Sequence, residues 1–223
     1  MPGRSADFRW LLREYGPGLA GLAGPPFFWI VLTILGQTQP AYNALRHDIS
    51  LLALGPNGWT QSANFVVFGL SIIVFQRGLE EALVPGEARG PLTVFLAFAS
   101  GLALVAMAIF PTDPPGTWTA RGTVHLGIVI VLAILLPTIC FATAGKLTRH
   151  PSWRGYAWFT MLTGVLTGIL TLMLLLVWAG VWQPLHSWVG LYERAVFVVP
   201  SIWMGVMGVR LMKKAQGRPA NTP

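Results

Sequence analysis

The chain is predicted to be all-α, a polytopic bundle of six transmembrane helices with both termini cytoplasmic. Three observations predict this. Six long apolar segments alternate with short loops, and each holds about 20 residues, the length that crosses a hydrocarbon layer. Only 10% of the 223 residues are charged, against about 25% in a soluble domain. The fifteen Lys and Arg split twelve to three between the two alternating sets of loops and ends, as the retention of basic residues in cytoplasmic loops requires.

Residues 1–16 are polar and mixed and carry Arg4, Arg9 and Arg13, a cytoplasmic N-terminal segment. The first span runs from Pro17 to Thr38. It is too long for a signal-peptide core, and no small-x-small site follows it, so it is read as a span. The second span is Gln61 to Leu83, and the loop 84–90 that follows has Arg77 and Arg89 nearby. The third is Pro91 to Phe110, and the fourth is Thr123 to Ala144, followed by Lys146, Arg149 and Arg154. The fifth is Tyr156 to Val181 and the sixth Trp188 to Leu211. The membrane domain thus covers 17–212, and 213–223 is a basic cytoplasmic tail with Lys213, Lys214 and Arg218, just beyond Arg210. The other side holds only Arg46, Arg121 and Arg194. Trp10, Tyr15, Trp59, Trp118, Trp153, Tyr156, Trp182 and Trp188 fall near span ends, where amphipathic rings sit at the headgroup level. The expected location is the inner (plasma) membrane.

The net charge of +7 does not point to nucleic acid, because the basic residues are spread over helix ends rather than gathered in a stripe. Membrane lipids are the expected partners. The single cysteine, Cys140, lies in an apolar run and reads as a small buried hydrophobe. Pro25-Pro26, Pro137 and Pro200 fall inside spans and free carbonyls that neighbours must satisfy; Thr138 and Ser201 follow two of them and are placed to help. Gly164 and Gly168 form a GxxxG on the fifth span, suited to internal packing or to a homo-oligomer.

Polar residues concentrate on the outward side. The first outer loop carries Arg46, His47, Asp48 and Ser50, and Asn64 follows one turn into the second span. The second carries Asp113, then Arg121 and His125; the third carries His186, then Glu193 and Arg194. Ionisable groups one turn inside a span are costly and need partners. The expectation is therefore that Arg46, His47, Asp48, Asn64, Asp113, Arg121, His125, Glu193 and Arg194 gather at the outer ends of helices two, four and six. Asp113 is placed to pair with Arg121, and Arg121 shares a helix face with His125. Glu193 and Arg194 are adjacent, so they point apart and need separate partners, both facing protein. Arginines in such a cluster suit a lipid phosphate. His125, Asp113 and Glu193 are the candidates for acid/base catalysis. Ser50 as a nucleophile would rest on its sequence neighbours His47 and Asp48, which rarely assemble a triad. No HxxxH or HExxH spacing points to a metal, no Walker or dinucleotide motif is present, and no cofactor is implied.

These residues carry a resemblance to the six-helix prokaryotic membrane family known as domain of unknown function 998, over about residues 17 to 212. The matching elements are Arg46-His47 with Ile49-Ser50, the turn Gly55 to Trp59, Asn64-Phe65, Phe110 to Asp113, His125 and Glu193-Arg194. Where many members have an acid after the serine, this chain has Leu51. The resemblance implies the fold and topology and no activity. The chain is also distantly similar to the eukaryotic Frag1/DRAM/Sfk1 membrane proteins, some tied to lipid remodelling, an analogy that rests on the Ile-Ser of the first outer loop. Three functions follow as expectations: binding of a lipid headgroup or partner, lipid modification through His125, Asp113 and Glu193, or transport. The absence of an acid or histidine at mid-span weakens the last.

Overall fold

A computed structural model describes residues 4–83, 91–181 and 187–217. Six helices carry the chain: α1 (Arg4–Thr38), α2 (Gly58–Leu83), α3 (Pro91–Ile109), α4 (Ala120–Leu147), α5 (Ala157–Trp178) and α6 (Val189–Gln216). Two short 3-10 turns, Ile49–Leu54 and Arg154–Tyr156, lie in the loops, and no strand occurs among the described residues. All six helices are long and apolar enough to cross a membrane. The loop 84–90, Trp182, His186 and Arg218 lie outside the described residues.

Each helix packs on the next in sequence, and α6 closes the ring onto α1 while also touching α2 and α4. The α1–α6 crossing is close because Gly208 faces backbone: a Cβ there would stand 2.8 Å from the Leu22 nitrogen and 2.9 Å from the Gly18 oxygen. Small residues let membrane helices approach this way. Gly164 and Gly168 also face a neighbour within the chain, against Phe141, Cys140 and Pro137 of α4.

The core is apolar, and the outside of the bundle is apolar as well, unlike that of a water-soluble bundle. Phe27, Ile30, Leu70, Phe95, Phe98 and Leu102 are exposed, whereas Gln61, Asn64, Gln76, Glu80, Thr143 and Thr160 are buried. Hydrocarbon solvates the first set, and the second set needs partners inside. Trp203 Nε1 donates to Thr160 Oγ1 at 2.9 Å. Gln76 donates to Thr143 at 3.2 Å. At the end of the bundle that holds most basic residues, Lys146 pairs with buried Glu80, and both bond Thr93.

Three expectations change. Helix α1 begins at Arg4, well before Pro17, because a proline in a helix costs one hydrogen bond without ending a run of good helix formers such as Leu11, Leu12 and Arg13. Trp153 is not an interfacial ring. It is 1% exposed, since the loop folds back under the bundle and Arg210 lies 5.3 Å over it; Trp118 and Trp59, by contrast, are exposed. Thr138 and Ser201 do not serve the carbonyls freed by Pro137 and Pro200: each donates to the carbonyl four residues before itself, Ile134 at 2.7 Å and Phe197 at 2.8 Å.

Candidate functional site

The first loop docks on the start of α6. Leu191 N donates to Leu45 O at 3.1 Å, and Gly190 lies directly under the backbone of Ala44 and His47. Arg194 reaches up from the second turn of α6. It donates to the carbonyls of His47 (3.0 Å) and Gly190 (2.9 Å) and to the Tyr42 hydroxyl. Burial pushes the Tyr42 hydroxyl above its ordinary pKa, opposed by the Arg194 charge. Glu193 points elsewhere, as adjacent helix positions must: its carboxylate accepts from the Ile49 N–H at 2.6 Å. That bond satisfies a donor at the start of the buried 3-10 turn, which fixes Ser50 one residue on.

The second loop is built as a roof. Thr117 N donates to Pro114 O at 3.1 Å, closing a turn with Pro115 then Gly116. Gly116 has φ +82°, the left-handed conformation that this position of a type II turn demands of glycine. Asp113 accepts from the Thr119 N–H and hydroxyl, both at 2.7 Å. These bonds hold its carboxyl below the usual range. Thr119 in turn caps α4 by accepting from Gly122 N at 3.1 Å.

His125, buried on α4, ties the two loops together. Its Nδ1 lies 2.6 Å from the Phe110 carbonyl oxygen and its Nε2 2.9 Å from Ser50 Oγ. A carbonyl only accepts, so Nδ1 carries the proton; in the neutral ring Nε2 then accepts from the Ser50 hydroxyl. Both groups open on a cavity of about 400 Å³. Asp48 and Glu193 line it as well, as do the apolar side chains of Leu126, Val129 and Trp178. No Lys or Arg lines it among the described residues.

Of the residues read from the sequence, Asp48, Ser50, Asp113, His125 and Glu193 line this cavity. The others lie elsewhere. Arg46 and Arg121 are exposed. Asp113 gives both oxygens to Thr119 rather than to Arg121, because the short loop returns its chain over Asp113 first. Arg121 and His125 are four residues apart, yet one is exposed and the other buried. Arg194 serves the carbonyls of His47 and Gly190 and the Tyr42 hydroxyl, not Glu193. His47 Nδ1 accepts from Asn43 N within its own loop. Asn64 is buried lower down, bonded to Phe28 O and Gln61. Among the described residues no three His, Cys, Asp or Glu side chains come together as a metal would need. Two pairings had no sequence signal: Ser50 with His125, 75 residues apart, and Arg194 with Tyr42, 152 apart.

A model of the family described as a protein of unknown function (DUF998) matches residues 22–210. No curated protein and no solved structure matches the chain, so the more distant eukaryotic similarity has no match behind it. The chain belongs to the DUF998 family of multi-pass membrane proteins.

Proposed function

We propose that this protein binds the polar end of a membrane amphiphile in the cavity beneath the 110–119 loop, at the outer face of the inner (plasma) membrane. One observation carries the reading: the cavity is amphipathic and lies at the helix ends, where headgroups sit. Ser50, His125, Asp48 and Glu193 line it together with Leu126, Val129 and Trp178. A polar group that enters finds hydrogen-bonding partners there, and an attached chain finds apolar surface toward α4 and α5.

The lining also selects the headgroup. Acids, imidazole and hydroxyl favour hydroxyl or ammonium donors on the ligand. A bare phosphate needs guanidinium or ammonium partners, and Arg46, Arg121 and Arg194 stand outside the lining. The orientation follows from the basic end of the bundle being the cytoplasmic one.

Native mass spectrometry of the protein from nanodiscs tests this. Diacylglycerol and phosphatidylethanolamine should be retained in preference to phosphatidic acid. Leu126→Trp, which fills the cavity, should abolish retention. Equal retention by that variant would remove the cavity as the site.

A further inference from the structure

We infer that Ser50 is an acyl-accepting nucleophile and His125 its general base, so that the cavity cleaves an ester of the amphiphile it holds. The inference rests on the binding reading above for its substrate. Its warrant is the arrangement itself. A hydroxyl and an imidazole from distant parts of the chain meet at 2.9 Å, the separation that nucleophile activation requires. The second ring nitrogen is bonded at 2.6 Å to a backbone carbonyl, which fixes the tautomer with Nε2 facing the hydroxyl. A third group that orients the base completes the constellation of serine hydrolases; here the Phe110 carbonyl takes the place of a carboxylate. Both side chains line the cavity, so the hydroxyl that His125 polarises faces the space a substrate would fill. Glu193 positions the nucleophile, because its bond to Ile49 N pins the turn that carries Ser50.

The chemistry balances with water as the co-reactant. Ser50 Oγ bonds to the ester carbonyl carbon while its proton passes to His125 Nε2. The bond from that carbon to the alcohol oxygen breaks, and the departing alcohol takes the proton from Nε2. This leaves an acyl ester on Ser50. Water then attacks the same carbon, giving a proton to Nε2; the bond to Ser50 Oγ breaks, and Oγ recovers the proton as the carboxylic acid leaves. The imidazolium formed in each half shares the cavity with Asp113, whose carboxylate, held ionised by Thr119, favours positive charge.

The test is labelling of the full-length protein in nanodiscs with a fluorophosphonate probe, with diacylglycerol retention read in parallel. A stoichiometric adduct should map to Ser50 and be absent in Ser50→Ala. His125→Gln should slow labelling by at least about 100-fold, the lower end of general-base effects. A second pair keeps the result independent of one variant's folding. In Ser50→Cys, iodoacetamide should alkylate position 50, and adding His125→Gln should slow that reaction, both variants keeping the parent melting temperature within a few degrees. An unlabelled Ser50 in protein that retains diacylglycerol overturns the nucleophile and leaves the binding reading standing. Labelling without lipid retention upholds the nucleophile and overturns the binding reading. Equal rates with and without His125 overturn the pair.

Discussion

The hydroxyl of Thr171 on α5 donates to the carbonyl oxygen of Ala133 on α4 at 3.1 Å, and that carbonyl is the one Pro137 leaves without a helical partner. A proline cannot donate to the residue four positions back. In hydrocarbon no water makes up the loss, so a neighbouring helix must. Thr171→Val should therefore cost about 1 kcal/mol. In a Pro137→Ala background, where residue 137 regains its N–H, the same change should cost close to nothing. Equal costs in the two backgrounds, measured by denaturation in detergent, would mean that the bond carries no weight.

The α1–α6 crossing offers a sharper contrast. At Gly208 an added methyl meets the backbone of Gly18 and Leu22, whereas at Gly205 it meets nothing within 4 Å. Backbone cannot swing aside as a flexible side chain can. Gly208→Ala should destabilise by about 1–3 kcal/mol as overpacking does, and Gly205→Ala should be neutral or stabilise by up to about 1 kcal/mol through helix propensity. Thermal unfolding of the two single variants separates them. Similar midpoints would show that the helices can move apart at little cost.

The helices were legible because hydropathy over about 20 residues is a local property, and five of the six both begin and end within five residues of their predicted bounds. Helix α1 is the exception at its start, because a polar helix beyond the membrane leaves no hydropathy signal. The candidate site was legible only as an inventory. Depth placed His125 and Glu193 among the residues needing partners, but which partner each finds depends on how two loops fold over the helix ends. In the sequence Ser50 had only its neighbours His47 and Asp48, which rarely assemble a triad, and the 3-10 turn directs it to His125 instead. Arg46 and Arg121 looked equivalent to Arg194 by charge, and only the docking of the first loop on α6 distinguishes them.

Asp113 should make the roof loop acid-sensitive. Its carboxyl is held below the ordinary range by the Thr119 hydroxyl and N–H. For a carboxylate with a depressed folded pKa, the stabilisation is present above the unfolded value of about 3.9. It is lost as pH falls through the folded value. The protection factor of the Thr119 amide against hydrogen exchange should fall in that acid window. In Asp113→Asn the fall should vanish, with lower protection already present at neutral pH. An acid response unchanged in the variant would place its origin elsewhere.

Arg194 should not tolerate lysine. Its fork serves the His47 and Gly190 carbonyls and the Tyr42 hydroxyl from two nitrogens, and a single ammonium cannot reproduce that geometry. Arg194→Lys should cost about 2 kcal/mol, in the range of hydrogen bonds to charged groups. The penalty should shrink in a Tyr42→Phe background. Arg46→Ala, at an exposed position, should stay within about 0.5 kcal/mol of the parent. Additive losses for Arg194→Lys and Tyr42→Phe would break the proposed link between the first loop and α6.

Orientation is open to a direct chemical test, because both reporter positions are exposed. Ser152 lies at the end of the bundle with Lys146, Arg149 and Arg154, and Thr117 lies in the roof loop. The twelve-to-three division of basic residues predicts that the Ser152 end is cytoplasmic. The native Cys140 is buried, so it gives little background. In intact cells a membrane-impermeant thiol reagent should label Thr117→Cys and spare Ser152→Cys until the membrane is opened. The reverse pattern would put the cavity on the cytoplasmic side and with it every substrate argued for above. An amphiphile would then have to reach Ser50 and His125 from the inner leaflet, and the absence of Lys and Arg from the cavity lining would lose its connection to the outward face.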